Sequence, residues 1–150
     1  MITISELTEC KAESLNAVNR LLPQLSASAK SISMDRLHEL IKSDSIMLFL
    51  GADQGGEILG MLSLIVIKIP TGNKAWIEDV VVDQSARGKG IGRALMNHAL
   101  EEAKKCGVKS IDLTSRPSRE SANQLYQSLG YDIRQTNVYR YKISWFVSYY

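Results

Sequence analysis

The sequence is poor in the residues that build metal sites, disulfide frameworks and membrane spans. Among its 150 residues are only two cysteines and two histidines. Cys10 and Cys106 are far apart and form no CxxC pair, which is typical of a reducing compartment, and so few ligands predict no metal. The longest nearly apolar run, residues 58–67, has ten residues, whereas a membrane-spanning helix needs about 20. We therefore expect no membrane segment, no secretory leader and a cytoplasmic location.

Charge of one sign is also scarce. Eighteen basic and sixteen acidic side chains leave a formal net charge of +2, which is too small to favour nucleic acid or an anionic membrane as a partner. Ten glycines and three prolines without any repeat exclude collagen, coiled-coil and disordered classes. Apolar residues, in contrast, make up 45% of the chain, enough for a core without metal or disulfide support. The sequence predicts a single globular domain over residues 1–150.

Hydrophobic periodicity predicts an α+β fold. An alternating pattern at the start of the chain, three apolar runs and three shorter segments further on predict strands, and apolar spacings of three and four residues predict four helices. The predicted strands are residues 2–7, 46–50, 58–69, 76–82, 110–114, 131–133 and 139–144. The predicted helices begin near residues 15, 34, 91 and 117. Pro23 is expected to bend or end the first, and Ser33 is the expected N-cap of the second. The order along the chain is a strand, two helices, three strands, a helix, a strand, a helix and closing strands, which predicts an α+β domain with a mixed sheet.

The last six residues, Trp145–Tyr150, are unusually aromatic for a free end. Either they extend the last strand or they pack against a second copy of the chain. The second alternative favours a homodimer.

A glycine-rich turn precedes the third predicted helix. It reads Arg87, Gly88, Lys89, Gly90, Ile91, Gly92 and Arg93. Glycines remove the Cβ atoms that keep a ligand away from the backbone, and the N–H groups of a helix N-terminus attract anions. Three cations oppose the helix dipole here, which indicates an anion to neutralise; the alternative is a solvated basic turn. The Walker phosphate-loop pattern is absent, and the dinucleotide pattern GxGxxG is broken at Arg93.

Two motifs together resemble those of the GNAT superfamily of N-acetyltransferases. The first is R-x-x-G-x-G at residues 87–92, which follows the strand segment Asp79-Val-Val-Val. The second is Ala-Asn-Gln-Leu-Tyr-Gln-Ser-Leu-Gly-Tyr at residues 122–131, about thirty residues further on. The resemblance covers approximately residues 75–143. It implies a mixed, mostly antiparallel sheet of about seven strands with four helices, whose central strands splay into a V-shaped slot for acetyl-CoA.

The resemblance also implies which residues bind acetyl-CoA as a co-substrate. The pyrophosphate would lie on the amides of residues 87–92 with Arg93 nearby, and the pantetheine arm would pair with the backbone of residues 80–82. Many family members carry asparagine seven residues before the helix tyrosine; here Arg119 occupies that position, and Asn123 is the nearest asparagine. The candidate cofactor-binding residues are Val80, Val81, Val82, Arg87, Gly88, Lys89, Gly90, Ile91, Gly92, Arg93, Asn123 and Tyr126.

Tyr126 is the candidate catalytic acid. A phenol with a pKa of about 10 is protonated at neutral pH and can hydrogen-bond a departing thiolate. The resemblance implies that this tyrosine lies beside the sulfur. From periodicity alone, Tyr126 is a core residue of an amphipathic helix, and the two roles are compatible because a ring can pack while its hydroxyl reaches a slot.

Glu78 is the candidate catalytic base. Strand alternation puts it on one face with Trp76, Val80 and Val82, and puts Asp79 on the other face. A partly buried carboxylate can take a proton from a bound ammonium group. The alternative is an acid at the solvated end of a strand. The run Glu-Asp-Val-Val-Val is similar to that of glucosamine-phosphate acetyltransferases, in which the acidic pair borders the acceptor.

The resemblance implies a transfer of acetyl from acetyl-CoA to a primary amine by direct attack. We expect a small-molecule acceptor (an amino sugar, a polyamine-like compound or an amino acid) in a pocket lined by residues 26–33 and the strand that carries Glu78. Two alternatives remain: acetylation of a protein N-terminus or lysine, and a non-catalytic module that binds acyl-CoA.

Overall fold

The computed structural model describes residues 1–144. These residues fall into two compact units, Met1–Thr114 and the segment that starts at Ser115. The first unit contains β1 (Thr3–Glu6), α1 (Ala12–Leu25), α2 (Met34–Lys42), β2 (Ile46–Ala52), β3 (Ile58–Ile69), β4 (Gly72–Val82), a 3₁₀ turn (Gln84–Ala86), α3 (Ile91–Lys105) and β5 (Ile111–Asp112). The second unit contains α4 (Glu120–Ser128). Over the described range, none of the helices has the length and apolarity needed to cross a membrane.

The strands of the first unit form one mixed sheet in the order β1-β2-β3-β4-β5. The first four strands pair antiparallel with their neighbours, and β5 pairs parallel to β4. Only two residue pairs join β4 to β5, Ala75 with Ile111 and Trp76 with Asp112. The remainder of β4, residues 77–82, therefore lies beyond the last pair with β5, so the sheet opens at this point.

The helices cover both faces of the sheet. Val18 and Leu21 of α1 and Leu37 of α2 pack with Leu50 and Met61 in the core of one face. On the other face, α3 approaches the glycines of β2 and β3. A strand buried on both faces has a continuous apolar sequence instead of an alternating one, and the run at 58–69 has this character.

The starts and ends of the helices follow local sequence signals. Ser33 caps α2 as predicted, because its Oγ accepts a hydrogen bond of 3.1 Å from the Arg36 N–H. Pro23 was expected to bend or end α1, but the helix continues to Leu25. Gly107 and Gly130, which follow α3 and α4, have the left-handed φ angles of 68° and 94° that are typical of helix C-termini.

The two predicted closing strands are wrong. Residues 131–144 contain no strand, and the described sheet has five strands instead of about seven. Alternation specifies a face of a strand but supplies no partner for its hydrogen bonds, and in this segment Tyr139, Tyr141 and Ile143 are exposed. The predicted strand at 110–114 is also shorter, Ile111–Asp112. Residues 145–150, on which the expectation of a homodimer rests, lie outside the described residues.

Candidate functional site: an anion turn, an open strand edge and a cavity

The glycine-rich turn ends in an uncapped helix N-terminus. Gly88 and Gly90 have φ angles of 80° and 90°, a left-handed conformation that glycine adopts without strain. Among the described residues, no side chain caps α3. Within residues 1–144, the backbone N–H groups of Gly90, Ile91 and Gly92 donate to no protein acceptor. Such donors at the positive end of a helix dipole bind anions, so the turn fits a diphosphate.

Basic side chains surround these donors. Arg87 and Lys89 are exposed, as is Arg93 in the first turn of α3. The Arg87 Nε donates to the Val82 carbonyl at 3.3 Å, which holds this side chain against the end of β4. No acidic residue occurs between Gln84 and Leu100. The local charge is therefore positive where the helix dipole is also positive.

Asp83 fixes the turn to α1. Its Oδ1 accepts from the Ser85 N–H at 2.9 Å and from the Ser85 Oγ at 2.7 Å, and its Oδ2 accepts from Gln24 Nε2 at 3.1 Å. The Gln24 side chain also accepts from the Gln84 N–H at 2.8 Å. Two hydrogen bonds from Ser85, one from Gln24 and the charge of Arg20 together lower the pKa of Asp83 to about 2. No sequence pattern indicates this anchor, because Gln24 lies 59 residues before Asp83 and 60 residues before Gln84.

In the part of the chain that the structure describes, the outer edge of β4 has no strand partner beside this turn. Residues 80–82, predicted to pair with the pantetheine arm, lie in the stretch that has no pair with β5. Val81 is buried, and Val80 and Val82 are half-buried. An unpaired strand edge can accept an extended chain as an additional strand. The backbone geometry is therefore compatible with the predicted role of these residues.

A β-bulge interrupts β4 at the acidic pair. Met61 pairs with Val81 and Ser63 with Glu78, so that Asp79 and Val80 together lie opposite Leu62. Asp79 has a φ of 52°, which is uncommon for a residue other than glycine but is tolerated by aspartate. Bulges often redirect side chains beside functional sites.

The bulge changes the side-chain faces that alternation predicts. Trp76 and Glu78 share a face as expected, since the Trp76 indole Nε1 donates to Glu78 Oε1 at 2.6 Å. The expectations that Val80 and Val82 share this face and that Asp79 lies on the other one are wrong. Glu78 and Asp79 line the same cavity, and Val81 packs in the core of the α1–α2 face. No glycine or other local signal in the sequence marks the extra residue.

The cavity that contains both carboxylates has a volume of about 320 Å³. It lies between α1, α2 and strands β2–β4, and most of its lining side chains are apolar. Burial raises the pKa of Asp79, and the charge of Glu78 raises it further. The other charged group in the lining, Arg36, forms an ion pair of 2.9 Å with Glu39. The cavity therefore combines an apolar interior with two adjacent acids.

The loop before α2 contributes less to this cavity than predicted. Of residues 26–33, only Ile32 is in the lining. Asn19 of α1 holds it there by two hydrogen bonds: its Oδ1 accepts from the Ile32 N–H at 2.8 Å, and its Nδ2 donates to the Ile32 carbonyl at 3.1 Å. Asn19 is thus a positioning residue that sequence reasoning did not identify.

Tyr126 and Asn123 are on α4, in the second unit. Tyr126 is 6% exposed, and burial raises the pKa of its phenol although the charge of Arg119 opposes this shift. The hydroxyl is therefore protonated at neutral pH. The Asn123 Nδ2 donates to the carbonyls of Arg116 and Arg119, each at 2.9 Å. This side chain closes the loop before α4, and its role toward a cofactor stays a prediction.

Comparison with known proteins assigns the chain to a family. The sequence profile of the Acetyltransferase (GNAT) family matches residues 15–131. The chain belongs to this family. It is 28% identical over 136 residues to the uncharacterized N-acetyltransferase YhdJ of Bacillus subtilis strain 168, and the match covers 89% of this chain and 94% of that protein. The resemblance inferred from the sequence is confirmed.

Two further similarities are to proteins whose names state an activity. It is 37% identical over 60 residues to the ribosomal protein bS18-alanine N-acetyltransferase of Escherichia coli strain K12, a match that covers 40% of each protein. Its structure superposes with a TM-score of 0.84 on an aminoglycoside acetyltransferase from an uncultured soil metagenomic sample, at 18% identity, covering 95% of this chain and 97% of the other. The second similarity establishes the fold alone.

Proposed function

We propose that this GNAT protein transfers acetyl from acetyl-CoA to the primary amine of a small molecule. The observation that carries the proposal is the set of N–H donors at Gly90, Ile91 and Gly92, which have no protein acceptor within the described residues. They lie in a basic turn directly after the open edge of β4. A diphosphate on the turn and an extended pantetheine arm along residues 80–82 would satisfy both features.

The amine is proposed to bind at the two carboxylates of the cavity. A primary amine is protonated at neutral pH and must lose a proton before it can attack a thioester. Asp79 is proposed as the proton acceptor, because desolvation and the charge of Glu78 raise its pKa above the ordinary value and so make its carboxylate more basic. Glu78 accepts a hydrogen bond from Trp76 and attracts the cation. The sequence predicts Glu78 alone as the base. We propose instead that Asp79 takes the proton and that Glu78 attracts the ammonium group.

The leaving group also needs a proton. The amine nitrogen forms a bond to the thioester carbonyl carbon, the carbon–sulfur bond breaks, and the sulfur leaves as a thiolate. Tyr126, protonated at neutral pH, is proposed to give this thiolate its proton. The proton that the nitrogen loses on becoming an amide passes through solvent to the tyrosinate and restores the phenol. A small molecule is supported as the acceptor by the modest volume of the cavity, about 320 Å³.

Two measurements test this function. Calorimetry measures CoA binding to the wild type and to Gly90→Ala, and free CoA thiol is measured during incubation with acetyl-CoA and a panel of primary amines. We expect CoA binding, weaker binding in the variant, and thiol release that depends on the amine. Absence of CoA binding at millimolar concentration would refute the proposal. CoA binding without thiol release on any amine would identify a non-catalytic acyl-CoA-binding module instead.

A protein amine is the second candidate acceptor. It is favoured by the 37% identity to the ribosomal alanine N-acetyltransferase, although that match spans only 60 residues. Incubation of a protein mixture with isotopically labelled acetyl-CoA, followed by mass spectrometry, distinguishes the two. Label on protein N-termini or lysines, with no turnover of small amines, would replace the first candidate by the second.

A further inference from the structure

The cavity between α1 and α2 has a mostly apolar lining with few polar groups. Of its twelve lining residues, eight are apolar. They include Val18, Leu22, Leu40, Ile46 and Ile65. Its polar lining is limited to the two adjacent carboxylates of Glu78 and Asp79, the Ser63 side chain and Arg36. A sugar ring bound here would lose the hydrogen bonds that its hydroxyl groups make to water. The Ser63 hydroxyl and few other groups of the lining could replace them.

The charge of the lining favours a ligand with a single positive charge. The two carboxylates are neighbours in sequence, and the charge of Glu78 acts on Asp79. The one cation, Arg36, is already paired with the exposed carboxylate of Glu39 at 2.9 Å. A second ammonium group that lay against the aliphatic side chains of the lining would be unpaired there, which is strongly unfavourable. The volume of about 320 Å³ is at the lower end of ligand pockets, which span about 300–1,000 Å³.

From this arrangement we propose that the acceptor is a monoamine with an apolar body, that is, an alkylamine or arylalkylamine. The ammonium group binds at Glu78 and Asp79, and the hydrocarbon body lies among the side chains of α1, α2, β2 and β3. This inference rests on the proposed acetyl transfer. It narrows the acceptor from primary amines in general to those without hydroxyl groups or a second charge.

An alkylamine series tests the inference quantitatively. Propylamine, butylamine, pentylamine and hexylamine have the same reacting group, so differences in their kcat/KM report burial of the chain. Each buried methylene is worth about 0.8 kcal/mol, a factor of about three to four. We expect kcat/KM to rise by about this factor per methylene, and hexylamine to exceed both 1,6-diaminohexane and glucosamine at least tenfold.

Variants locate the effect in the cavity. Leu40→Asn places an amide in the lining, and His38→Asn is a matched control on an exposed residue of the same helix that is absent from the lining. We expect Leu40→Asn to lower kcat/KM for hexylamine about tenfold and to flatten the chain-length series, with the KM for acetyl-CoA unchanged. His38→Asn should leave both constants as in the wild type. Circular dichroism and a thermal melt confirm that both variants are folded.

The outcomes separate this inference from the function on which it rests. Turnover that is flat across the alkylamines, or that is higher with 1,6-diaminohexane, glucosamine or phenylalanine, would overturn the apolar monoamine while leaving acetyl transfer intact. An unchanged series in Leu40→Asn would place the acceptor outside this cavity and would also overturn it. No thiol release with any amine would overturn acetyl transfer itself, and the inference with it.

Discussion

Gly60 of β3 provides a sharp test of how the sheet supports the anion turn. A Cβ at this position would lie 2.8 Å from Ile91 Cγ2, 3.0 Å from Leu95 Cδ1 and 3.3 Å from the Val81 carbonyl. Carbon atoms in contact are normally about 3.5–4.0 Å apart, so Gly60→Ala must displace Ile91 by about 0.7–1.2 Å. Overpacking of this kind costs about 1–3 kcal/mol of unfolding free energy.

The displacement also affects ligand binding, because Ile91 is the first residue of α3 and carries one of the three N–H donors that have no protein acceptor within residues 1–144. We expect Gly60→Ala to weaken CoA binding about tenfold, which corresponds to about 1.4 kcal/mol. Urea denaturation measures the stability loss, and isothermal titration calorimetry measures the dissociation constant. The two losses have one cause, so they should appear together.

Two other glycines serve as graded controls. A Cβ at Gly51 would meet Ile91 Cγ2 at 3.0 Å, whereas one at Gly55 would meet only Asp53 Oδ1 at 3.4 Å. The predicted order of destabilisation is therefore Gly60→Ala, then Gly51→Ala, then Gly55→Ala, the last within about 0.5 kcal/mol of the wild type. If Gly60→Ala were as stable as Gly55→Ala and bound CoA equally well, the packing argument would be refuted. Ile91→Ala should destabilise the Gly60→Ala variant less than it destabilises the wild type, because the two side chains would be in contact. We expect the two losses of unfolding free energy to differ by at least about 0.5 kcal/mol.

Four further predictions concern the turn, the cavity and the acid. Gly90→Ala places a Cβ at a φ of 90° and should cost about 1–2 kcal/mol, seen as a lower urea midpoint and weaker CoA binding. Tyr126→Phe should lower kcat at least tenfold with the KM for acetyl-CoA unchanged; equal losses in both would contradict its role as an acid. Because the pKa of Asp83 is about 2 in the folded protein and 3.8 ordinarily, its stabilising effect is complete above pH 4 and lost as the pH falls toward 2. Asp83→Asn should therefore be less stable than the wild type at pH 6 and should lose less stability between pH 6 and pH 3, measured by urea denaturation. Asn19→Ala removes both hydrogen bonds to Ile32 and should raise the KM for the amine several-fold, with the KM for acetyl-CoA unchanged.

Much of the fold could be predicted from the sequence, because its signals are local. The apolar run at 58–69 is β3 at the same bounds, the Ser33 cap is formed, and the helix after the glycine-rich turn begins at Ile91. The closing strands failed for a physical reason. Residues 139–144 have the alternation of a strand, but pairing depends on a partner elsewhere in space, which periodicity does not specify.

The candidate site was predictable where one segment builds it and not where several do. The glycine turn is contiguous in sequence, so its N–H donors could be anticipated from the helix that follows. The Asp83 anchor and the Asn19 clamp on Ile32 join side chains to segments that are distant or irregular, and neither has a sequence pattern. The acidic pair was identified from its residues, but the bulge that directs Asp79 into the cavity carries no glycine as a signal.

The bulge places two separate demands on position 79. The backbone there, with a φ of 52°, is easiest for glycine and acceptable for asparagine or aspartate. The cavity, in contrast, uses a carboxylate, which glycine and asparagine lack. Substitution by asparagine therefore isolates the charge from the conformation, and substitution by alanine or valine would disturb the backbone as well. For anyone who engineers this protein, the consequence is that a loss of turnover in a bulky or β-branched variant at this position carries no information about proton transfer.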